Sequence, residues 1–237
     1  MNLSDYFFET DTGSFRFTRE NGSQFAKNVA GDFNPLHDTD AKKFCIPGDL
    51  LFALSLAKLG VSKEMQFSFK GMIREDMTLH FDMIDEDNVQ VVDSEDKEYL
   101  SIAREGDHSD SLDLANNLAR SYVAFSGLTF PHILVPLMAE KNAMINSTRP
   151  LVIYQSMSIK LDTFDFVNAT LEEVENCFNV EGKRGSTRLK FNFKDEQGKV
   201  VGQGEKIMTL SGLRDFDEDL MNALVVDYDL RKKAYKV

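Results

Sequence analysis

An apolar segment followed by a run of alternating strands occurs twice in this chain, and this repetition limits its possible folds more than any other feature. The first apolar segment, GDLLFALSLAKLG at 48–60, is apolar on nearly every side. A helix with that pattern has to be enclosed by other elements rather than lie on a surface. Apolar and polar residues alternate, as in half-buried strands, in SFRFTR before this segment and in MQFSFKG, MTLHFDM, NVQVVD and EYLSIAR after it.

The second half of the chain repeats this order. Its apolar helix candidate is FPHILVPLMAEKNAMI, although Pro136 confines regular helix to one side of that segment. The predicted strands are LVIYQSMSIKL, ATLEEVENCFNV, STRLKFNFKDE and KVVGQGEKIMTLS, and Gln197-Gly198 predicts a hairpin turn between the last two. The sequence therefore predicts an α+β protein in which a sheet wraps a buried helix twice, with units at 1–110 and 111–237.

Alignment of the two halves shows that the first carries a polar insertion. Pro47 in the first half corresponds to Pro131 in the second, and Gly31 corresponds to Gly127. Between these two anchors the first half has 12 extra residues, which include NPLHDTDAKKF. A polar insertion in one copy of a duplicated scaffold suggests a functional site placed on that copy.

The charge of the chain argues against nucleic-acid binding. The net charge is −12 and the isoelectric point is near 4.8, whereas non-specific nucleic-acid binding requires a basic surface. The two cysteines, Cys45 and Cys177, lie far apart without metal-ligand spacing, which favours two reduced thiols and no metal site. No cofactor is implied by any motif.

The apolar runs are short and the first residues lack the features of a secretory signal. LLFALSLAKLG and ILVPLMAE have about half the length that a bilayer-spanning helix needs, and MNLSDYFFETDTG is acidic without a basic stretch and an apolar core. We therefore expect a cytoplasmic protein that does not cross a membrane.

The inserted segment carries a specific motif. FAKNVAGDFNPLHDTDAKKF followed by IPGDLLFAL resembles the MaoC-like, (R)-specific enoyl-CoA hydratases of the hotdog superfamily. The motif of that family reads Gly-Asp-x-Asn-Pro-(Ile/Leu)-His ahead of an apolar helix that opens with glycine, and the resemblance covers about thirty residues. The matching positions are Gly31, Asp32, Asn34, Pro35, Leu36 and His37.

The resemblance implies a fold and a reaction. The fold consists of two hotdog units, each a curved antiparallel sheet around a central helix, packed in one chain as a pseudo-dimer. The reaction is the reversible addition of water to a trans-2-enoyl thioester, which gives the (R)-3-hydroxyacyl form, so that the chain would be a lyase of fatty-acyl metabolism. By resemblance Asp32 and His37 are the catalytic pair and the N–H of Gly48 meets the thioester oxygen. The loop is then held in place by Gly31, Asn34 and Pro35.

Hydration of an enoyl thioester explains why these residue types occur together. It requires a base for the water and a proton for the α-carbon, so two titratable groups must face one water. The thioester oxygen becomes negative, and a backbone N–H at a helix N-terminus can stabilise it. A turn of the form GDxNP with an exposed His37 is the alternative interpretation of the same residues.

Two positions depart from the motif of the family. Pro47 replaces a histidine before Gly48, and Asp49 replaces an apolar residue after it. We expect Asp49 to cap the helix and its charge to oppose an enolate nearby. An anionic thioester ligand would also need a local basic patch, for which Lys42 and Lys43 are candidates, together with Lys183, Arg184 and Arg188.

Three functions remain open on the sequence. The first is a hydratase or dehydratase acting on thioesters of CoA or of acyl carrier protein. The second is a catalytically silent protein that binds acyl thioesters or fatty-acyl groups. The third is a hotdog thioesterase, which the Asp32 and His37 arrangement favours least. Because an internal pair of units already supplies the dimer that single hotdogs need, the chain is expected to be a monomer or a homodimer.

Overall fold

The first half of the chain forms a curved antiparallel sheet around one buried helix. In the computed structural model, which describes residues 2–10 and 12–235, helix α1 (Arg19–Phe25) precedes helix α2 (Gly48–Leu59). All residues from Leu50 to Leu56 are buried, as the apolar pattern of this segment predicts. The strands of this half are β1 (Phe8–Glu9), β2 (Phe15–Arg16), β3 (Val61–Phe69), β4 (Leu79–Met83), β5 (Asn88–Asp93) and β6 (Glu98–Ser109).

The second half repeats this arrangement, with its helical part divided in two. Helix α3 (Leu112–Gly127) is followed by a π-helical turn, Thr129–Ile133, and by the short helix α4 (Leu134–Glu140). Pro136 lies in the first turn of α4, where the missing N–H of proline is tolerated. The remaining elements are β7 (Ala143–Met144), β8 (Val152–Leu161), β9 (Thr170–Glu181), β10 (Arg184–Lys194), β11 (Val200–Ser211), β12 (Arg214–Asp215) and helix α5 (Glu218–Ala234).

The order of the strands relates the two halves. The main sheet runs β1-β2-β4-β5-β6-β3-β8-β11-β10-β9, and β7 pairs with β12 separately. In the first half the innermost strand is β3, and β6, β5 and β4 follow outward from it. In the second half the innermost strand is β8, and β11, β10 and β9 follow outward. The halves join through the antiparallel pair β3 and β8, where Glu64 lies opposite Lys160 and Gln66 opposite Ser158. The predicted pseudo-dimer is therefore confirmed, and the proposed boundary at residue 110 falls between β6 and α3.

The helices of the two halves share one core. Phe52 of α2 packs edge-on against Phe67 of β3, with ring centroids 4.9 Å apart, and against Tyr122 of α3, also at 4.9 Å. Tyr122 in turn contacts Phe191 of β10. Each buried aromatic side chain of this size stabilises the fold by roughly 2–3 kcal/mol relative to an exposed one. The contact between α2 and α3 therefore joins the two halves through the core, in addition to the pairing of β3 with β8.

The end of α3 lies directly against the start of the inserted loop. Gly127, the last residue of α3, approaches Ala30 so closely that a Cβ atom on Gly127 would lie 1.7 Å from the Ala30 carbonyl oxygen. Only glycine fits such a backbone contact. The second half therefore supports the segment of the first half that leads into Asp32.

Among the described residues, no single helix is both long and apolar enough to cross a bilayer. Helices α3 and α4 with the π-helical turn between them pass that test as a pair, but they are bent by 54° at the break.

Candidate functional site

The loop that carries Asp32 begins where the first helical segment is forced to end. Helix α1 continues into a π-helical turn, Ala26–Ala30, and stops at Gly31, whose φ of +65° lies in the left-handed region. Glycine adopts that conformation without the clash that a Cβ atom would cause. The N–H of Asp32 then donates to the Ala26 carbonyl at 2.8 Å. This bond fixes the backbone of Asp32 against the end of the helical segment.

Short side chains hold the next turn of the loop. The Oδ1 atom of Asp32 accepts a hydrogen bond from the Asn34 N–H at 2.9 Å, and the Oδ1 atom of Asn34 accepts one from the Leu36 N–H at 3.1 Å. Pro35 opens a single 3-10 turn that ends at His37. Asn34 and Pro35 thus shape the backbone of this turn.

The structure brings His37 and Asp32 together. The His37 Nε2 atom lies 3.9 Å from the Asp32 Oδ2 atom, and the two side chains are 12% and 28% exposed. The other ring nitrogen, Nδ1, lies 2.9 Å from the carbonyl oxygen of Cys45. Because a carbonyl can only accept, Nδ1 carries a proton and Nε2 faces the carboxylate. A separation of 3.9 Å is too long for a direct hydrogen bond and suits one that a water or a hydroxyl bridges.

Contacts around His37 favour its charged form. Burial alone would lower the pKa of His37, but hydrogen bonding to Cys45 and the negative charge of Asp32 outweigh burial and raise the pKa to about 9. The imidazole is therefore an imidazolium ion at neutral pH. In that state Nε2 donates a proton toward the space that it shares with Asp32.

The raised pKa of His37 predicts how the stability of the fold changes with pH. The folded pKa of about 9 lies above the ordinary value of 6.5, so His37 stabilises the fold fully below pH 6.5 and loses this contribution as the pH rises through about 9. The contribution is on the order of 3 kcal/mol. Urea unfolding of the wild type and His37→Gln across this range should show a difference in unfolding free energy that shrinks at high pH. A difference independent of pH would contradict the assigned charge state.

The candidate oxyanion position lies at the start of α2. Gly48 is the first residue of this helix, and a Cβ atom there would lie 3.1 Å from the Tyr154 ring and 3.2 Å from the Phe69 ring. Pro47 occupies the N-cap position and no side chain caps the helix. The expectation that Asp49 caps α2 is therefore wrong, because Asp49 lies one residue inside the helix. The first N–H groups of α2 lack a capping side chain, as an oxyanion site requires.

Helix α5 contributes a residue that the sequence did not reveal. The Tyr228 hydroxyl donates to the Gly31 carbonyl and accepts from the Phe33 N–H, both at 3.2 Å, so it joins the two residues on either side of Asp32. Burial and the charge of Asp32 raise the pKa of Tyr228 to about 12, which keeps the phenol neutral. Tyr228 is therefore a positioning residue for Asp32.

The same helix holds the far end of the loop. The Arg231 Nη1 atom lies 2.7 Å from the Asp38 Oδ2 atom, and the Lys27 Nζ atom lies 2.8 Å from the Asp38 Oδ1 atom. Asp38 follows His37 directly, so α5 fixes the loop on both sides of the candidate pair. The sequence carried little signal for these contacts, because nearly two hundred residues separate Arg231 from Asp38.

Removing the Tyr228 hydroxyl should loosen the loop around Asp32. We expect Tyr228→Phe to increase hydrogen exchange at the Phe33 amide, because that amide loses its acceptor while the aromatic packing remains. The matched control is Tyr235→Phe, which removes a hydrogen bond to Asn28 outside the loop. Unchanged protection of the Phe33 amide in Tyr228→Phe would contradict the positioning role.

In the described part of the chain, no contact links the lysines predicted to bind the ligand to Asp32 or His37. Lys42 and Lys43 are exposed between the 3-10 turn and α2, and the ion pairs found among the described residues do not involve them. Their contact with a thioester or phosphate group stays a prediction. Among the described residues no group of three or more His, Cys, Asp or Glu side chains could hold a metal ion.

Two hollows of the described surface lie elsewhere. The larger, of about 530 Å³, lies across the central strands and is lined by residues such as Gln66, Lys160 and Lys190. The smaller, of about 250 Å³, lies near the start of α3, beside Leu114 and Phe166. Asp32 and His37 line neither hollow, so the candidate pair does not open into either of these two cavities.

A buried helix enclosed by a curved antiparallel sheet, present twice in one chain, defines a double-hotdog protein in which the loop of Asp32 and His37 lies in the first unit. The chain belongs to the family described as "Protein of unknown function (DUF3581)", whose model matches residues 1–219. Most of helix α5, including Tyr228 and Arg231, lies beyond the matched residues. No protein with a curated functional description matches the sequence.

Several solved structures are similar to this chain over most of their length. The tesB protein of Mycobacterium avium subs paratuberculosis has 8% identity and a TM-score of 0.49, with 88% of this chain and 98% of that chain covered. The acyl-CoA thioesterase II TesB2 of Mycobacterium marinum has 11% identity, a TM-score of 0.47 and coverage of 91% and 99%. The dehydratase domain of PpsC from Mycobacterium tuberculosis, in complex with C12:1-CoA, has 14% identity, a TM-score of 0.38 and coverage of 86% and 97%.

Proposed function

We propose that this protein reversibly hydrates trans-2-enoyl thioesters to (R)-3-hydroxyacyl thioesters at the single site formed by Asp32 and His37. The observation that carries this proposal is the 3.9 Å separation between the Asp32 carboxylate and His37 Nε2, beside a helix that lacks a side-chain cap. A base and a proton donor that face one space fit the addition of water across a double bond. The MaoC-like motif from Gly31 to His37 supports the same reaction.

The charges assign a separate role to each residue. His37 is protonated at neutral pH, so it is the acid in the hydration direction and Asp32 is the base. In this direction activity should fall as the pH rises through about 9, since neutral His37 has no proton to give at Nε2. For dehydration the roles are reversed, as microscopic reversibility requires.

The bond changes balance without any co-reactant. Asp32 removes a proton from water as the water oxygen bonds to the β-carbon, and the electrons of the double bond move to the thioester oxygen. The resulting enolate faces the N–H groups at the start of α2. His37 then protonates the α-carbon from Nε2, and the proton on Asp32 returns to His37 through the solvent or the shared space. Because both groups lie on one loop, water and proton add from the same side, which is syn addition.

A silent acyl-thioester binding protein is the second candidate, and two observations favour it. The hollows of about 530 Å³ and about 250 Å³ do not include the candidate pair. In addition, the Oδ1 atom of Asp49 is buried without a hydrogen-bond partner close to the proposed oxyanion position. A protein of this kind would bind the thioester and leave it unchanged.

One experiment separates these functions. Purified protein is mixed with crotonyl-CoA, and the enoyl absorbance and the free thiol concentration are followed together. Hydration removes the absorbance without releasing a thiol, whereas a thioesterase releases the thiol. If neither signal changes while calorimetry shows binding, the protein is a silent binder and the proposed reaction is wrong.

A further inference from the structure

A lysine side chain is buried on the core side of strand β11, beside inward side chains of the same strand that are apolar. Lys206 of β11 is 5% exposed, and the side chains at the next alternate positions of this strand, Met208 and Leu210, are buried with it. Lysine is almost never fully buried without a charged partner, because removing an ammonium ion from water is costly. An inward lysine on this strand therefore requires a physical explanation beyond packing.

The direct partners of Lys206 carry no charge. Its Nζ atom donates to the Ser126 Oγ atom at 2.6 Å and to the Thr129 Oγ1 atom at 3.4 Å. It also lies 4.7 Å from the centre of the Tyr154 ring. The ion pairs within 4.0 Å that the described residues form do not include Lys206. Since an ammonium group has three donors, two hydroxyl partners leave one N–H for another acceptor.

Asp49 provides the complementary half of this arrangement. Its Oδ1 atom is buried and has no hydrogen-bond partner in the described part of the chain. Burial raises the pKa of Asp49, while the positive charge of Lys206 and the Ser126 hydroxyl act in the opposite direction. Burial lowers the pKa of Lys206, and the charges of Asp49 and Asp32 oppose this. Each group thus favours the ionised form of the other, although burial dominates, so the pKa of Asp49 is raised overall and that of Lys206 is lowered overall.

These groups adjoin the proposed site. The positive charges of Lys206 and His37 act to lower the pKa of Asp49, and the negative charge of Asp32 acts to raise the pKa of Lys206. Tyr154 connects them structurally, because its ring lies beside the Lys206 Nζ atom and 3.1 Å from the position of a Cβ atom on Gly48. One aromatic ring therefore lies against both the buried ammonium group and the first residue of α2, where the thioester oxygen would bind.

We propose that Lys206 is a further catalytic residue, whose ammonium group binds the anionic oxygen of the thioester enolate formed at Asp32 and His37. This proposal rests on the proposed hydration. A thioester carbonyl is neutral before reaction and gains negative charge during it, so a positive donor held by Ser126 and Thr129 stabilises the enolate more than the substrate. The negative charge of Asp49 favours the protonated lysine and opposes the lowering of its pKa by burial. The lysine in turn offsets the repulsion between Asp49 and the enolate.

Acetoacetyl-CoA tests this without turnover, because its enolate form absorbs in the near ultraviolet and mimics the intermediate. We expect the wild type to stabilise the bound enolate at neutral pH and Lys206→Met to lose this absorbance. Turnover of crotonyl-CoA by Lys206→Met should fall by about 10²–10³-fold with little change in KM. The matched control is Lys190→Met, which removes a positive charge from the exposed outer face of the sheet and should behave as the wild type.

A second variant guards against a folding defect. Ser126→Ala keeps the lysine but removes the acceptor at 2.6 Å, so it should show a smaller loss of both signals, of roughly tenfold in turnover. Circular dichroism and thermal unfolding confirm that each variant is folded. If Lys206→Met does not fold, Ser126→Ala decides the question. A Ser126→Ala protein that behaves as the wild type then overturns the proposal.

The outcomes distinguish the two proposals. If the wild type hydrates crotonyl-CoA and folded Lys206→Met does so equally well, the role of Lys206 is refuted and the hydration stands. An enolate signal that depends on Lys206 without any hydration refutes the reaction and retains Lys206 as an anion-binding group. If the wild type gives neither the enolate signal nor hydration, both proposals are overturned.

Discussion

Replacement of Asp32 by asparagine is expected to lower the turnover of an enoyl thioester by about two to four powers of ten, the usual contribution of a positioned base. Asparagine keeps an Oδ1 atom that can accept the hydrogen bond from the Asn34 N–H, so the turn should persist. The side chain is also 28% exposed, which limits its contribution to the core. Thermal unfolding should therefore change little while turnover collapses. Steady-state kinetics with crotonyl-CoA and a thermal melt check both statements.

Asp40→Asn is the matched control for this variant. It removes the same charge from the same loop at an exposed position, so it should retain nearly full turnover. Equal losses in both variants would mean that the general charge of the loop matters rather than a base at Asp32. Unchanged turnover in Asp32→Asn would show that another carboxylate is the base, and Asp49 would be the first to test.

Gly127→Ala is expected to be among the most destabilising single-atom additions in this chain. The new Cβ atom would lie 1.7 Å from the Ala30 carbonyl oxygen, and neither partner can move without displacing backbone. The cost should be about 3 kcal/mol or more, at the upper end for overpacking. Because Ala30 leads into Gly31 and Asp32, turnover should fall as well. Urea unfolding and crotonyl-CoA kinetics measure the two effects.

The control for this variant is Gly71→Ala. There the added Cβ atom would lie 3.2 Å from the Tyr99 ring, so a side chain rather than backbone would have to move, and only by a few tenths of an ångström. Its cost should be about 1 kcal/mol or less. If Gly127→Ala were as stable as this control, the close contact between the end of α3 and the loop would not exist in solution.

The strands of both halves could be predicted because their side chains alternate between an apolar core and the outer face. The segment KVVGQGEKIMTLS became β11, and the hairpin before it turns at Gly198 with a φ of +79°. NVQVVD became β5 without a change of bounds. Period-two patterns of this kind depend on local sequence alone, which is why they were readable.

The helices of the second half were harder to predict. Its long regular helix is α3, whose buried residues recur at helical spacing in Leu114, Leu118 and Tyr122. The apolar pattern instead favoured a helix in the segment around Pro136, which forms a π-helical turn and the short α4. High hydrophobicity indicated burial correctly there but did not indicate regular helix.

The sequence predicted the candidate site only where its residues lie close together along the chain. The loop from Gly31 to His37 is held by local hydrogen bonds, and its motif revealed it. Tyr228 reaches the loop, and Lys206 reaches Ser126, through tertiary contacts, which no local pattern encodes. The error at Asp49 has a local cause, since Pro47 takes the cap position and Asp49 is the second residue of the helix.

The most direct test of the central claim is the chirality of the product that the wild-type protein forms from crotonyl-CoA. Chiral chromatography of the thioester after incubation should show (R)-3-hydroxybutyryl-CoA, formed by the wild type and nearly absent with Asp32→Asn. Unchanged crotonyl-CoA under these conditions, or a product of the opposite configuration, would contradict the assignment of Asp32 and His37 as a hydration site.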